Sequence, residues 1–222
     1  MKEWKPSQTE LKKIIDKYNN SDEYEHYREE DRALELTFRD KISTNDNITN
    51  ILIKVSLLND FYSTNIFKTL PVAKHILDLD IDKRLDKGDL KLVNDIAEID
   101  MPDKNGKTIK KYFYSFATKY CCNHRPDVYP IFDKFVEKAI NKFIREDLLP
   151  KGTEYAKLRV EYNSKYNFKI KDYKIENYRK EDLKDYPTFY NYVMIFREHY
   201  NLDCSVRDLD RYLWIHGKDV LS

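Results

Sequence analysis

The sequence predicts a mostly helical protein, because glycine is scarce, apolar residues recur at helical spacing, and the alternation typical of strands is rare. Four glycines among 222 residues lie well below the roughly 7% of average usage. P-loops and dinucleotide-binding loops need several closely spaced glycines, so both are excluded, and a glycine-punctuated β-sandwich is disfavoured. We expect one compact multi-helix unit over residues 1–222, with 48–145 as its core and 1–47 and 146–222 packed around it.

Charge and cysteine content further restrict the class of protein. The 40 basic and 39 acidic side chains give a formal net charge of +1, and both signs are interspersed, unlike the charge blocks of disordered tails. Three cysteines, two of them adjacent, argue against a disulfide framework. No apolar stretch is long enough for a signal peptide or a membrane span. We therefore expect a cytoplasmic protein with no membrane partner, and no pattern indicates its oligomeric state.

Helices in the N-terminal half are predicted from caps and apolar spacing. Ser7 is a suitable N-cap for the first helix, and the acidic stretch 22–35 predicts a solvated helix whose end enters the core. Residues 50–67 are apolar on nearly every side, which predicts a helix in the middle of the domain. Pro71 fits the first turn of the next helix, and Asp89 is a suitable cap for another.

The middle of the chain is predicted to alternate between loops and helices. Residues 101–108 are rich in turn formers and predict a loop. Residues 112–122 predict a helix, and 123–130 predict a loop with two prolines. Asp133 then precedes an amphipathic helix whose apolar pairs recur every fourth residue.

The C-terminal part contains a basic, tyrosine-rich stretch between two helical regions. Residues 165–180 carry six bases and two acids, and such charge interleaved with aromatic rings is typical of nucleic-acid contacts. Lys165, Lys169 and Lys171 are the candidate contacts, although a solvated surface segment explains the same composition. Residues 187–200 and 205–214 predict the closing helices, with Gly217 as a C-cap.

Two residues on either side of the proline-bounded loop, Lys119 and Asp133, are candidates for catalysis. The loop can fold back and bring a lysine amine and a carboxylate to one cleft. A lysine amine attacks electrophilic carbon and forms a Schiff base, and a carboxylate at a helix N-terminus can stabilise developing positive charge. The competing interpretation of Asp133 is structural, because aspartate is a preferred N-cap. His124 with Cys121 and Cys122 lacks a fourth ligand, so no metal and no cofactor are predicted.

The segment from Tyr114 to Ile140 resembles the helix-hairpin-helix DNA glycosylases, in particular the 8-oxoguanine DNA glycosylases. In that superfamily a Thr-Lys pair lies in the hairpin and an apolar-Pro-apolar-Asp segment starts the following helix. Thr118-Lys119 and Pro130-Ile131-Phe132-Asp133 match in order and type. The resemblance covers roughly residues 48–145.

This resemblance implies an enzyme acting on double-stranded DNA. Lys119 would attack C1′ of a flipped nucleotide, and Asp133 would assist charge development and proton transfer. An imine on the lysine would also permit strand cleavage at abasic sites. The stretch 57–66 resembles the buried helix and polar turn that enter the duplex, so Ser63, Thr64 and Asn65 are expected near DNA.

A non-catalytic helical module on the same scaffold is the alternative function. It would bind nucleic acid or a protein, for example in bacterial defence. The absence of glycine before Lys119 favours it, because close backbone approach to a phosphate is easier with glycine. The near-neutral net charge also favours it, since duplex-binding proteins tend to be basic. A purely structural role is a third interpretation.

Overall fold

The structure, a computed structural model, describes residues 5–166 and 174–219. The chain is mostly helical, as the sequence predicts. It forms two compact units. The central unit is Tyr18–Ile131, and the terminal unit combines Met1–Lys17 with Phe132–Ser222. The stretch 48–145, which the resemblance covers, therefore includes residues of both units.

The central unit is built from helices joined by tight turns. Helix α1 (Gln8–Asn20) begins in the terminal unit and ends in the central one, and Ser7 Oγ accepts a hydrogen bond from the backbone N–H of Glu10 at 3.2 Å. This confirms Ser7 as the cap. The other helices follow as α2 (Glu25–Glu35), which continues as a π-helical segment over Leu36–Lys41, α3 (Ile48–Phe61), α4 (Thr69–Asp78), α5 (Asp82–Asp86), α6 (Lys91–Ala97) and, after a hairpin, α7 (Tyr114–His124).

Helix α3 occupies the middle of the central unit. It packs against α2, α4 and α7, and Ile51, Val55 and Leu58 are fully buried. The central position agrees with the apolar character of the sequence on nearly every side. The helix ends at Phe61, six positions short of the predicted end, because the chain turns sharply there.

A β-hairpin replaces part of the loop predicted for residues 101–108. Strand β1 (Glu98–Pro102) pairs antiparallel with β2 (Thr108–Tyr112), with Glu98 opposite Tyr112 and Pro102 opposite Thr108. Residues of β2 are largely exposed, so this strand lacks the apolar alternation by which a half-buried strand is recognised. The turn itself agrees with the prediction and closes through a hydrogen bond from Asp103 N to Lys107 O at 2.9 Å.

The described part of the terminal unit packs its helices around aromatic side chains. After α1, the helices of this unit are α8 (Lys134–Phe143), α9 (Thr153–Lys165), α10 (Tyr186–His199) and α11 (Val206–Asp219). Helix α8 contacts α10 and α11. Phe143 of α8 meets Phe196 of α10 edge to face at a centroid distance of 5.2 Å, a favourable geometry for an aromatic pair.

The prediction of Gly217 as a C-cap is wrong, because Gly217 lies inside α11. A Cβ atom there would lie 2.3 Å from the backbone oxygen of Phe135. The residue therefore permits a close approach between the α11 backbone and the backbone at the start of α8.

We expect Gly217→Ala to lower the free energy of unfolding by at least about 2 kcal/mol, because the new methyl group overlaps with backbone atoms that cannot rotate away. The melting temperature should fall by roughly 4–8 °C. Gly106→Ala is the control, since its Cβ would meet nothing within 4 Å and only the positive φ of 81° opposes it. Equal losses in the two variants, measured by thermal and urea unfolding, would contradict the steric argument.

Candidate functional site

Lys119 lies inside α7, with its side chain enclosed by neighbouring groups. The residue is 5% exposed. Its Nζ donates a hydrogen bond to Ser115 Oγ at 2.5 Å, one turn earlier on the helix, and lies 5.2 Å from the ring centroid of Tyr62. That distance is within the range of a cation–π interaction. The resemblance puts Thr118-Lys119 in a hairpin, whereas the structure places both residues within the helix.

A strained turn follows α3 and contains the three predicted DNA contacts. Ser63 and Asn65 are exposed, Thr64 is half-buried, and Ser63 and Asn65 have φ angles of 47° and 59°. The Asn59 side chain holds this turn: its Oδ1 accepts from Thr64 Oγ1 at 2.9 Å and from the N–H of Ile66 at 2.8 Å. Left-handed conformations cost L-residues free energy and occur often at functional sites.

The structure brings Lys119 and this turn into one neighbourhood of the central unit. The link is Tyr62, which is both the C-cap of α3 and the residue before Ser63. Its ring lies against the Lys119 amine. A group with nucleophilic chemistry thus lies beside a preformed turn with exposed polar side chains.

Asp133 belongs to the terminal unit and acts as the N-cap of α8. Its Oδ1 accepts hydrogen bonds from the N–H groups of Phe135 and Val136, both at 2.8 Å. The structural interpretation of Asp133 is therefore confirmed. Oδ2 takes part in neither cap bond, so capping does not consume the whole carboxylate.

Of the three lysines predicted to contact nucleic acid in the basic stretch, the structure describes Lys165. Lys165, at the end of α9, pairs with Glu198 at 2.6 Å and lies 5.7 Å from the Tyr166 ring centroid. Its charge is thus partly neutralised within the protein. Lys169 and Lys171 lie outside the described residues.

A buried polar cluster in the central unit was not predicted from the sequence. Its centre is Asn45, which is 3% exposed. Asn45 Oδ1 accepts from Lys54 Nζ at 2.9 Å and from Tyr120 Oη at 2.6 Å. Its Nδ2 donates to Asp82 Oδ1 at 2.5 Å and lies 3.2 Å from His124 Nε2. Every hydrogen-bonding position of the Asn45 amide is therefore used.

The buried polar cluster shifts the pKa of its members. Burial lowers the pKa of Lys54 to about 8, and the negative charges of Asp82 and Asp46 oppose this shift. Burial, together with the positive charge of Lys54, lowers the pKa of His124 well below its ordinary value. Two donors, from Asn45 and Lys54, point at His124 Nε2, which requires an unprotonated nitrogen there.

We expect the free energy of unfolding to rise with pH in two windows. As pH falls below about 6.5, the unfolded chain protonates His124 while the folded chain does not, so stability decreases. Between pH 8 and about 10.4, folded Lys54 has lost a proton that the unfolded chain retains, so stability increases. Urea unfolding across pH would measure both slopes. His124→Gln should reduce the acidic slope, and the remainder comes from His199 and His216, whose pKa values burial also lowers. An unchanged slope in His124→Gln would contradict this assignment.

Other features of the described residues limit the chemistry. Cys121, Cys122 and Cys204 form no disulfide, Cys121 and Cys122 are buried, and burial raises the pKa of the Cys121 thiol. Among residues 5–166 and 174–219, no group of three or more His, Cys, Asp or Glu side chains could hold a metal ion. Within the same ranges, no helix combines the length and the apolar character that crossing a membrane requires.

The fold and the site define a mostly helical protein in which a lysine amine is enclosed beside a polar turn. The chain belongs to the family described as HI_0787_N, an N-terminal domain, which matches residues 10–128. The match includes Lys119 and ends before Asp133. An uncharacterized protein of Haemophilus influenzae is 36% identical over 174 residues, which is 78% of this chain and 69% of the relative. No solved structure matches the chain.

Proposed function

We propose that the protein is a DNA glycosylase-like enzyme that removes a modified base through Lys119. The observation that carries this proposal is the enclosed Lys119 amine, held by Ser115 and Tyr62 next to the strained turn of Ser63 and Asn65. An enzyme of this class combines a nucleophile with polar groups that contact the DNA beside the extruded base, and Lys119 and this turn are the matching groups here. The resemblance around Thr118-Lys119 supports the same interpretation.

The proposed reaction begins with the neutral amine. The Nζ lone pair forms a bond to C1′ as the glycosidic bond breaks. The base leaves with the electron pair of the glycosidic bond and takes up the proton released by Nζ. The C1′–O4′ bond then opens, O4′ takes up a proton, and a protonated imine remains on Lys119. Loss of a C2′ proton and departure of the 3′ phosphate would cleave the strand.

Asp133 is proposed to assist this reaction. Its Oδ1 caps α8, and Oδ2 would stabilise positive charge at C1′ or carry the proton to O4′. This assignment rests on the resemblance. The polar tips of Ser63, Thr64 and Asn65 would contact the DNA backbone beside the extruded base. An enzyme of this kind with free cysteines suits the reducing cytoplasm.

Borohydride trapping tests the proposal directly. The wild-type protein is incubated with duplexes that carry a panel of modified bases, 8-oxoguanine among them, and with an abasic-site duplex. Borohydride delivers hydride to the imine and converts it to a stable secondary amine that links protein and DNA. A cross-linked product together with release of the free base is expected. The absence of both products on every duplex would exclude catalysis through an imine.

A non-catalytic binding module is the second candidate. It is favoured by the observation that the Lys119 amine already has partners in Ser115 and Tyr62, and by the absence of glycine before it in α7. In this case Lys119→Gln would leave nucleic-acid or protein binding unchanged. Removal of the charges between residues 165 and 180 would abolish that binding.

A further inference from the structure

Phe67 is a large apolar side chain that the protein leaves in solvent. It is 95% exposed, compared with 46% for Leu70 nearby in α4. Single exposed apolar residues are common on protein surfaces, so exposure alone does not define a site. The setting of Phe67 is unusual in two further respects, namely the rigidity of its support and the charge beside it.

The support of Phe67 is fixed on both sides. On the N-terminal side, Asn59 Nδ2 donates to the backbone oxygen of Ile66 at 3.2 Å, and Asn59 Oδ1 accepts from the N–H of the same residue at 2.8 Å. On the C-terminal side, Lys68 Nζ donates to the backbone oxygens of Pro102 and Asp103 at 3.0 and 3.2 Å. The ring therefore projects from a short segment that is tied down at each end, which reduces the entropy lost when it contacts a ligand.

The contact through Lys68 joins Phe67 to the hairpin, whose far end is basic. Between residues 103 and 111 the sequence has four lysines and one aspartate, and Lys104, Lys107, Lys110 and Lys111 are exposed. Oδ1 of Asp103 accepts hydrogen bonds from the N–H groups of Asn105 and Lys107. Lys110 pairs with Glu98. With Glu98 and Asp100 of β1 included, the hairpin has four lysines and three acidic residues, a net charge of +1, and Lys104 and Lys107 lie in the turn that the Lys68 amine contacts at Asp103.

We propose that Phe67 and the lysines of the hairpin form a contact surface for a single nucleic-acid strand. One base would stack on the Phe67 ring, and the phosphates would follow Lys104, Lys107 and Lys111. An exposed ring next to positive charge is the combination that binds single strands with little sequence preference. Lys107 and Lys111 are separated by roughly 13 Å along β2, so they suit a chain of phosphates better than one small anion.

The preference for a single strand follows from the ring. Bases within a duplex already stack on neighbours at both faces, so stacking on the ring without distorting the duplex requires an unpaired base. An acidic protein is the alternative occupant, and the absence of oligonucleotide binding would favour it. This surface does not require Lys119 to act on DNA, and its occupant can be tested by binding alone.

Fluorescence polarisation with a labelled oligothymidylate, and with the same strand annealed to its complement, tests the surface. Phe67→Ala should weaken single-strand binding about tenfold, since one base–aromatic stack is lost. Phe67→Trp should restore it, and Leu70→Ala should have little effect. Phe67 is exposed, so circular dichroism should show unchanged folding in all three variants.

Salt dependence tests the role of the lysines separately. The double variant Lys107→Ala/Lys111→Ala should reduce the slope of log affinity against log salt by about 1.4, because each phosphate contact on a single strand contributes roughly 0.7. Lys12→Ala/Lys13→Ala on α1 removes the same charge from another exposed pair and should leave the slope unchanged. The proposal is overturned if no oligonucleotide binds at low salt, if Phe67→Ala binds like wild type, or if the two double variants behave alike. A trapping experiment that fails while these results hold would overturn only the glycosylase proposal.

Discussion

Replacing Lys119 by arginine is expected to abolish the borohydride-trapped adduct and to reduce base release by more than about a thousandfold, the scale of removing a catalytic nucleophile. Arginine retains the positive charge, the ability to donate to Ser115 Oγ, and the capacity to interact with the Tyr62 ring. Its guanidinium stays protonated and forms no imine. Loss of product in this variant would therefore report on the chemistry of the amine and not on its charge. The measurement is the yield of cross-linked complex, with folding monitored by circular dichroism.

Two further variants make this experiment specific. Lys87→Arg applies the same substitution to an exposed lysine of the central unit and should leave trapping unchanged. Asp133→Asn keeps a good N-cap but removes the negative charge, so it should reduce base release without lowering the melting temperature. A Lys119→Arg protein that still forms the adduct would show that another amine is the nucleophile. An unchanged rate in Asp133→Asn would leave Asp133 with its structural role alone.

Asn45→Ala is expected to lower the free energy of unfolding by about 3 kcal/mol or more, and the melting temperature by roughly 6–12 °C. The substitution removes the acceptor that Lys54 Nζ and Tyr120 Oη share and the donor to Asp82. Buried groups that lose a partner are costly, and a buried charge is the most costly of them. Thermal and urea unfolding would measure the loss.

The buried charge can be separated from the other lost contacts by a second substitution. Adding Lys54→Met to Asn45→Ala removes the ammonium, which has lost Asn45 as an acceptor and keeps only the backbone oxygen of Thr44 at 2.8 Å among its oxygen acceptors within the described residues, so the double variant should recover about 1 kcal/mol relative to Asn45→Ala. Asn105→Ala, in the exposed hairpin turn, is the matched control and should be close to neutral. If the double variant is less stable than Asn45→Ala, the loss of this acceptor by the Lys54 ammonium is not the main cost.

Helix starts were predictable because they depend on short-range chemistry. The caps at Ser7 and Asp133 use hydrogen bonds to N–H groups two or three residues ahead, so residue type and position contain the whole signal. The central place of α3 followed from its apolar surface. Its end did not, because the turn depends on how the single side chain of Asn59 is oriented.

Features that depend on distant parts of the chain were missed. The cluster around Asn45 combines residues from the segments near 45, 54, 82 and 120–124, and no local pattern links them. One clue was available: Lys54 is a charged residue within the most apolar helix, and such a residue needs buried partners. Gly217 was predicted to be a helix end because glycine is common there. The contact that requires a glycine at this position is with Phe135, which is distant in the sequence.

The candidate site was predictable in part. Lys119 was selected from its spacing to Asp133 and from the resemblance, and the turn at Ser63–Asn65 from the resemblance alone. The two are linked in the central unit through Tyr62. Asp133 and Lys165 belong to the terminal unit, and each has a partner within it. Phe67 was assigned to the end of an apolar helix, and only the early end of α3 reveals that its ring faces solvent.

The division of the chain into two units has a consequence for folding during synthesis on the ribosome. The central unit is one continuous segment, Tyr18–Ile131, whereas the terminal unit draws on both sides of it. Leu11, near the start of α1, is buried, yet the residues from Phe132 onward that complete its unit emerge only after the central unit has been translated. At roughly 5–20 residues per second, the first helix waits about 10 s for them. The central unit can therefore fold before the terminal unit is complete.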